Sequence, residues 1–366
     1  MRSFDDSSRI GGKMPGKMPR RFFRPSVFFL FFVVLAMLAS PVFAQRGRTV
    51  TIRLASLAPE NTPWGAALNQ MAAEWAQVTN GAVEVIVFHN ATAGNEQEVL
   101  RRLRVNQIQA AVFTSIGLNS IAPEVMAISY PFLIRDNEEL DVVLNQLRPE
   151  LERSIEQSGF VPLAWSRSGW LRIFSRSPVL TPEELRRQRM GANANEMELM
   201  QAFRLMGYQI VPVPTNVLIS LNGGMVDAVN MSPIYAAASQ AFGVARNMTN
   251  INVSPFMGGI FMNQTAWRRI PERYRPQLLE ISRRMEREMD AAIMNLETQA
   301  INTMANHGLV IHDLTPAQRQ LWFDEIARHE NALVGPVNPV FNREFYQRIS
   351  AILAAHRAGI AAGGGQ

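Results

Sequence analysis

The stretch 181–233 constrains the fold most strongly, because helix-like and strand-like patterns alternate along it with very short connections. A helical run ends at Met206-Gly207, and the strand-like segment 208–214 follows it without a linker. Such alternation is typical of an α/β layer fold. Folds of this class bind ligands where a strand ends and a helix begins, which predicts binding positions at 192–196 and 214–216.

The first 44 residues have the features of an export signal. Arg20, Arg21 and Arg24 precede an apolar run over 27–39, and a small residue, Ala44, marks the expected cleavage point. We therefore expect a periplasmic protein that is cleaved after Ala44. The alternative is a retained membrane anchor, which is disfavoured because the run is shorter than the roughly 20 residues that span a bilayer.

The charge and cysteine content exclude several classes of function. The leader carries seven of the 36 Lys/Arg residues and two of the 31 Asp/Glu residues, which leaves 29 of each sign. The mature chain is thus formally neutral and has no basic patch for nucleic acid. It has no cysteine, and both lysines lie in the leader, so disulfides, thiol catalysis and lysine Schiff bases are excluded.

The chain after the leader opens with three strands and two helices in alternation. The predicted strands are 49–55, 83–88 and 110–113, and the predicted helices are 63–78 and 96–106. Thr62 is the expected N-cap of the first helix, with Pro63 at its first position. Strands that alternate with helices imply right-handed βαβ units and a mainly parallel sheet.

The longest periodic segment is 273–307, with apolar residues three and four positions apart. Roughly 35 helical residues span about 50 Å, more than a small domain, so this helix is expected to run along two domains. The other predicted elements are helices at 137–158 and 316–333, strands at 160–165, 171–175 and 309–312, an extended segment at 251–262 and a disordered end at 361–366.

These patterns predict an α/β chain of two domains. The expected boundaries are 1–44 for the signal peptide, 45–162 with 249–272 for domain I, 163–248 with 308–345 for domain II, 273–307 for the helix that spans both, and 346–366 for a C-terminal helix and disordered tail.

Several motifs occur in the order and spacing of one known family. They are LASLAP (54–59), NGAVEVIVF (80–88) followed by Ala93-Gly94, Pro123-Glu124, YPFL (130–133), SPVLTPEEL (177–185) and LISLNGGMVD (218–227). With them the chain resembles the DctP-type substrate-binding proteins of TRAP (tripartite ATP-independent periplasmic) transporters, which are periplasmic receptors for organic acids. The resemblance implies a periplasmic-binding-protein-like fold with a ligand cleft between two domains and hinge closure over the ligand.

The chain departs from this family where the family holds the ligand carboxylate. The family's arginine lies two residues before a proline, and these two positions are Gly191 and Asn193 here. The missing arginine predicts a hydrophobic or amphipathic ligand, because aromatic and methionine side chains lie at the expected pocket. The alternative is a conventional organic-acid receptor in which Arg172 or Arg189 takes over.

The predicted ligand-binding residues form one set, and no catalytic or metal-binding residue is predicted. The set comprises Trp64, Thr114, Trp165, Trp170, Arg172, Gly191, Asn193, Thr215, Asn230, Met231, Phe256 and Met257. Core packing is the alternative role for the tryptophans and methionines, and helix capping for Asn193 and Thr215. His307, His312 and Asp313 lack the spacing of a metal site, and no cofactor motif occurs.

The sequence therefore predicts a receptor that is not an enzyme. It would bind a small molecule, lipid-like or an organic acid, and deliver it to the membrane subunits of a TRAP permease. An extracytoplasmic sensor, or a protein that hands ligand to a periplasmic helical-repeat partner, is the alternative from another class. An enzyme is the third interpretation, and no nucleophile-elbow pattern supports it.

Overall fold

The computed structural model describes residues 49–194, 196–214, 217–337 and 339–363, and the described chain begins with a parallel unit. Its elements are β1 (Val50–Ala55), α1 (Pro63–Val78), β2 (Val83–Phe88), α2 (Glu96–Arg104) and β3 (Ala110–Thr114). β1 lies between β2 and β3 and is parallel to both. Thr62 caps α1 by accepting a hydrogen bond from the Gly65 N–H, as predicted. The predicted signal peptide lies outside the described residues.

A long strand follows this first unit. The elements are α3 (Ser115–Asn119), a 3-10 helix (Pro123–Ser129), α4 (Asn137–Gln157), β4 (Phe160–Ser175) and α5 (Pro182–Arg186). The sequence predicted two strands, 160–165 and 171–175, where the structure has the single strand β4 of 16 residues. The predicted gap between these two strands corresponds to an irregularity in β4, because the pairing register shifts between Arg167 and Trp170.

The second unit repeats the topology of the first. It consists of β5 (Arg189–Asn193), α6 (Met197–Leu205), β6 (Gln209–Val213), α7 (Val217–Asn222) and β7 (Ala228–Met231). β5 lies between β6 and β7 and is parallel to both. The short connections of this stretch therefore produce the α/β alternation that the sequence predicted.

The remaining elements close the sheet and cover it. They are α8 (Pro233–Ala238), β8 (Asn247–Asn263), α9 (Gln264–Arg269), α10 (Arg275–Asn306), β9 (Val310–Asp313), α11 (Pro316–Arg328), α12 (Glu330–Val334) and α13 (Arg343–Gly363). The strand order is β2-β1-β3-β8-β4-β7-β5-β6, with β9 beside β8. The sheet is mixed rather than mainly parallel, because β8 runs antiparallel to β3 and β4, and β4 antiparallel to β7.

The helix α10 has the buried apolar stripe that its periodicity predicted. Its buried side chains include Leu278, Ile281, Met285, Met289, Ile293 and Met304. Among the described residues, no helix has both the length and the apolar character needed to cross a membrane.

Two carboxylates of α10 hold the irregular part of β4. Glu286 Oε2 accepts a hydrogen bond from the Trp165 N–H at 2.9 Å, and Glu297 Oε2 accepts one from the Trp170 N–H at 3.2 Å. Arg148 binds both oxygens of Glu286, at 2.6 and 2.9 Å. Because buried charges require partners, this arrangement satisfies the glutamates and the strand amides together.

The C-terminal part differs from its prediction in two places. The single helix predicted over 316–333 is divided at His329 into α11 and α12. The helix α13 extends to Gly363, so 361–363 are helical where disorder was expected. Phe345, Ile349 and Leu353 of α13 are buried in the same apolar cluster as Leu118 of α3, which stabilises the helix by packing.

The domain boundaries remain predictions.

We expect Gly169→Ala to destabilise the protein more than Gly159→Ala does. Both glycines have φ +88°, so both substitutions carry the same backbone strain of about 1 kcal/mol. A Cβ at Gly169 would lie 2.5 Å from Glu297 Oε2, whereas nothing lies within 4 Å at Gly159. Displacing Glu297 would weaken its bond to Trp170 and add about 1–2 kcal/mol. Urea denaturation measures both free energies of unfolding, and equal values would contradict this role of Glu297.

Candidate functional site

In each parallel unit the central strand connects to one neighbour, while the last strand of the unit lies on its other side, which makes a topological switch point between these two strands. β1 connects to β2 on one side, while β3 lies on its other side. β5 has the same relation to β6 and β7. Ligands of open α/β sheets bind beyond the carboxyl ends of the strands at such points. The two units therefore place candidate binding positions at Ala55 and Thr114, and at Asn193 and Met231.

Glu96 organises the edge of the first unit. Its carboxylate accepts hydrogen bonds from the Thr114 N–H at 2.6 Å, the Thr114 hydroxyl at 3.0 Å and the Gly117 N–H at 3.0 Å. Burial raises the pKa of Glu96, and these hydrogen bonds oppose that shift. Glu96 thereby fixes the start of α2 against the end of β3. The predicted ligand residue Thr114 is held in place by it.

Glu196 occupies the corresponding edge of the second unit, just before α6. Its side chain is half-buried, does not cap the helix and forms no hydrogen bond or ion pair with another described residue. Burial, together with the charge of Glu96, raises the pKa of Glu196 to about 7. β3 ends at Thr114 beside Gly258 of β8, and β7 ends at Met231 beside Arg172 of β4, next to Leu171, which pairs with Ser254 of β8. The two strands thus approach the middle of the β4–β8 pair from opposite directions, so the carboxyl ends of the two units face each other. Glu96 lies at one of these edges and Glu196 at the other.

Apolar surface lies next to these glutamates. Glu96 lines a shallow recess at the end of β1 together with Ala55, Leu57, Ala93 and Val99. The side chain of Leu57 is 37% exposed, and that of Met197, which follows Glu196, is 67% exposed. Large apolar side chains that remain open to solvent at a binding edge favour a ligand with an apolar part.

The structure places most of the predicted aromatic and methionine contacts in the core. Trp165, Trp170 and Met257 are buried in one cluster with Phe113 and Phe261. Met231 is buried in a separate cluster of the second unit. Trp64 and Phe256 are half-buried. Three of the six predicted aromatic and methionine contacts, Trp165, Trp170 and Met257, thus lie in the same cluster, but the six do not form one exposed surface. Their role as ligand contacts remains a prediction.

Both candidate arginines already have carboxylate partners. Arg172 Nη2 lies 3.2 Å from Glu297 Oε1, and Arg172 also binds the side chain of Asn250. Arg189 binds both oxygens of Asp227 at 2.8 Å, which lowers the pKa of that carboxyl. An added ligand carboxylate would therefore compete with an existing ion pair at either arginine.

Gly191 faces an apolar layer. A Cβ added there would lie 3.1 Å from Val229, 3.2 Å from Val213 and 3.3 Å from Val226. A side chain at this position would therefore enter the core of the second unit. The absence of an arginine at Gly191 is consequently a weaker argument against a carboxylate ligand than the sequence suggested.

The predicted polar contacts lie at the same edge of the sheet. Asn193 ends β5 and is half-buried, and Asn230 lies near the end of β7. The Oδ1 atom of Asn230 is buried and has no hydrogen-bond donor among the described residues. Thr215 lies outside the described residues. The junction 192–196 was predicted from sequence as a binding position, but Glu196 and Glu96 were not among the predicted ligand residues, although both lie next to a helix start.

The family model "Bacterial extracellular solute-binding protein, family 7" (DctP) matches residues 54–331, which is more than half of the chain. The chain belongs to this family. Its members are solute-binding proteins rather than enzymes, which agrees with the prediction from sequence.

Relatives and solved structures support the same fold. A solute-binding protein of Chromohalobacter salexigens is 25% identical over 56% of this chain and 62% of its own. The C4-dicarboxylate-binding protein DctB of Bacillus subtilis is 22% identical over 82% of this chain and 85% of its own. The chain thus spans less than two thirds of the Chromohalobacter protein.

A TRAP periplasmic solute-binding protein of Pseudomonas putida F1, solved with bound D-glucuronate, has a TM-score of 0.73 and 18% identity, over 83% of this chain and 97% of that one. This likeness confirms the predicted α/β, two-domain fold.

We expect Gly191→Arg to unfold the second unit rather than to create a carboxylate site. Its guanidinium would enter the valine layer without a partner, at a cost of about 3 kcal/mol or more. Gly223→Arg is the control, because Gly223 is exposed. Urea denaturation measures stability, and calorimetric titration with succinate measures binding. A stable Gly191→Arg protein that gains succinate binding would show that position 191 faces the cleft.

We expect Glu196→Gln to stabilise the protein at pH 8 and to have little effect at pH 4.5. The folded protein keeps the Glu196 proton up to about pH 7, whereas the ordinary pKa is 4.5. Ionisation therefore costs stability as the pH rises between these values. The substitution removes this cost, a gain of about 1–3 kcal/mol at pH 8.

Urea denaturation at both pH values measures this effect. Glu156→Gln, at an exposed position of α4, is the control for the loss of one charge. A difference between Glu196→Gln and the unmodified protein that does not change with pH would contradict the raised pKa.

Proposed function

We propose that this protein is the periplasmic receptor of a TRAP transporter. It closes over a ligand between domain I and domain II, and the closed form delivers the ligand to the membrane subunits of a permease. Family membership and the shared fold support this proposal. Export with cleavage after Ala44, and the domain boundaries expected from sequence, belong to the same proposal.

We further propose that the ligand is amphipathic and is not held by an arginine–carboxylate ion pair. The observation that carries this is the engagement of both candidate cations, Arg172 with Glu297 and Arg189 with Asp227. Glu96 at one facing edge, and Glu196 at the other once it ionises near pH 7, would repel a dicarboxylate that binds between them. The exposed apolar side chains of Leu57 and Met197 provide a surface for an apolar body.

An organic-acid receptor is the second candidate. Its relatives favour it, since DctB of Bacillus subtilis is a C4-dicarboxylate-binding protein and the Pseudomonas putida F1 structure contains D-glucuronate. In this chain the observation in its favour is Arg172, whose Nε atom is buried without a hydrogen-bond partner. A ligand carboxylate that reached this Nε would complete the hydrogen bonds of the guanidinium.

Native mass spectrometry of gently purified protein, followed by denaturing extraction, tests the two ligand classes. We expect a co-purified amphipathic molecule, and we expect 1 mM succinate or D-glucuronate to raise the melting temperature by less than about 1 °C. A clear stabilisation by either acid that Arg172→Ala abolishes, while Arg189→Ala retains it, would contradict the amphipathic proposal and favour the organic-acid receptor.

A further inference from the structure

The two facing edges present hydrogen-bond acceptors that have no donor. The side chain of Glu196 forms no hydrogen bond or ion pair with another described residue, although it is half-buried. Asn230 Oδ1, at the end of β7 in the same unit, is buried and also lacks a donor. A buried acceptor without a partner costs free energy that a donor on the ligand would recover.

Glu96 makes this edge unfavourable for anions. Its carboxylate is held by three hydrogen bonds from Thr114 and Gly117 and cannot turn away from the cleft without breaking them. In the described part of the chain, neither Glu96 nor Glu196 forms an ion pair with an arginine. The mature sequence contains no lysine that could supply another cation. A cationic ligand group is the species that this arrangement stabilises.

Apolar surface flanks the acceptors on both units. Leu57 lies in the recess with Glu96, and Met197 directly follows Glu196. The flexible side chain of a methionine adapts to apolar bodies of different shape. Each unit thus has a glutamate at its edge and an exposed apolar side chain at the same edge, Leu57 with Glu96 and Met197 with Glu196.

We propose that the cleft binds an amphipathic amine, with its protonated amino group on Glu196, opposite Glu96, and its apolar body against Leu57 and Met197. This inference rests on the proposed receptor function and names the chemical class of its ligand. Glu196 is the residue that determines specificity for the amine, because it is the carboxyl group without a partner. Glu96 contributes charge and keeps its structural hydrogen bonds.

Three probes of equal chain length test the proposal: octylamine, 1-octanol and octanoate. Calorimetric titration at pH 7 should give an affinity for octylamine about tenfold or more above that for octanoate, with octanol between them. Glu196→Gln should remove most of the preference for octylamine over octanoate and leave octanol binding nearly unchanged. Glu156→Gln, which is exposed on α4, is the matched control and should keep the preference.

The outcomes separate this inference from the proposed function. Equal binding of the three probes, or a preference for octanoate, would overturn the amine assignment and leave an amphipathic ligand in place. Failure of all three to bind to folded protein would overturn the amphipathic proposal and the amine assignment with it. The ranking in the unmodified protein decides the question even where a variant is unstable, and circular dichroism verifies that each protein is folded.

Discussion

The hydrogen bonds from the backbone of β4 to the carboxylates of α10 are the interaction on which the rest of the structure depends. β4 and β8 are the strands through which both parallel units join one sheet, and their pairing is irregular between Arg167 and Trp170. Glu286 and Glu297 accept the amides of Trp165 and Trp170 on either side of that irregularity. The long helix α10 therefore fixes β4 at the point where its pairing with β8 is interrupted.

The same constraint determines the electrostatics around the cleft. Glu297 needs a cation because it is buried, and Arg172 supplies it. Asp290, one turn after Glu286, pairs with Arg167, and burial still raises its pKa to about 6. Arginines that stabilise α10 are thus unavailable to an anionic ligand unless an ion pair is exchanged. This is the physical reason why membership in a family with acid-binding relatives does not by itself transfer their ligands to this chain.

Sequence patterns predicted the elements well where local signals are strong. Pro63–Val78 and Val83–Phe88 have the predicted bounds, because an N-cap with proline and a β-branched alternation are local signals. The predicted ligand contacts remain predictions. Trp165 and Trp170 were predicted as ligand contacts because aromatic side chains are common in binding pockets, but both are buried in the core. The sequence does not show which face of a strand a helix will cover. Glu196 was not predicted, because its position next to a helix start, the one available signal, is also favourable for glutamates that bind no ligand.

The sequence by itself determined the α/β alternation, the long amphipathic helix, the absence of cysteine, the balance of charges after residue 44 and the motifs of the family. Each of these depends on neighbouring residues or on composition alone. Only the tertiary structure decided that Arg172 pairs with Glu297 across 125 positions and that Trp165 bonds to Glu286 across 121. It also decided that Gly191 faces three valines. Partners this far apart in sequence are selected by how the sheet and α10 pack, and local patterns carry no information about that packing.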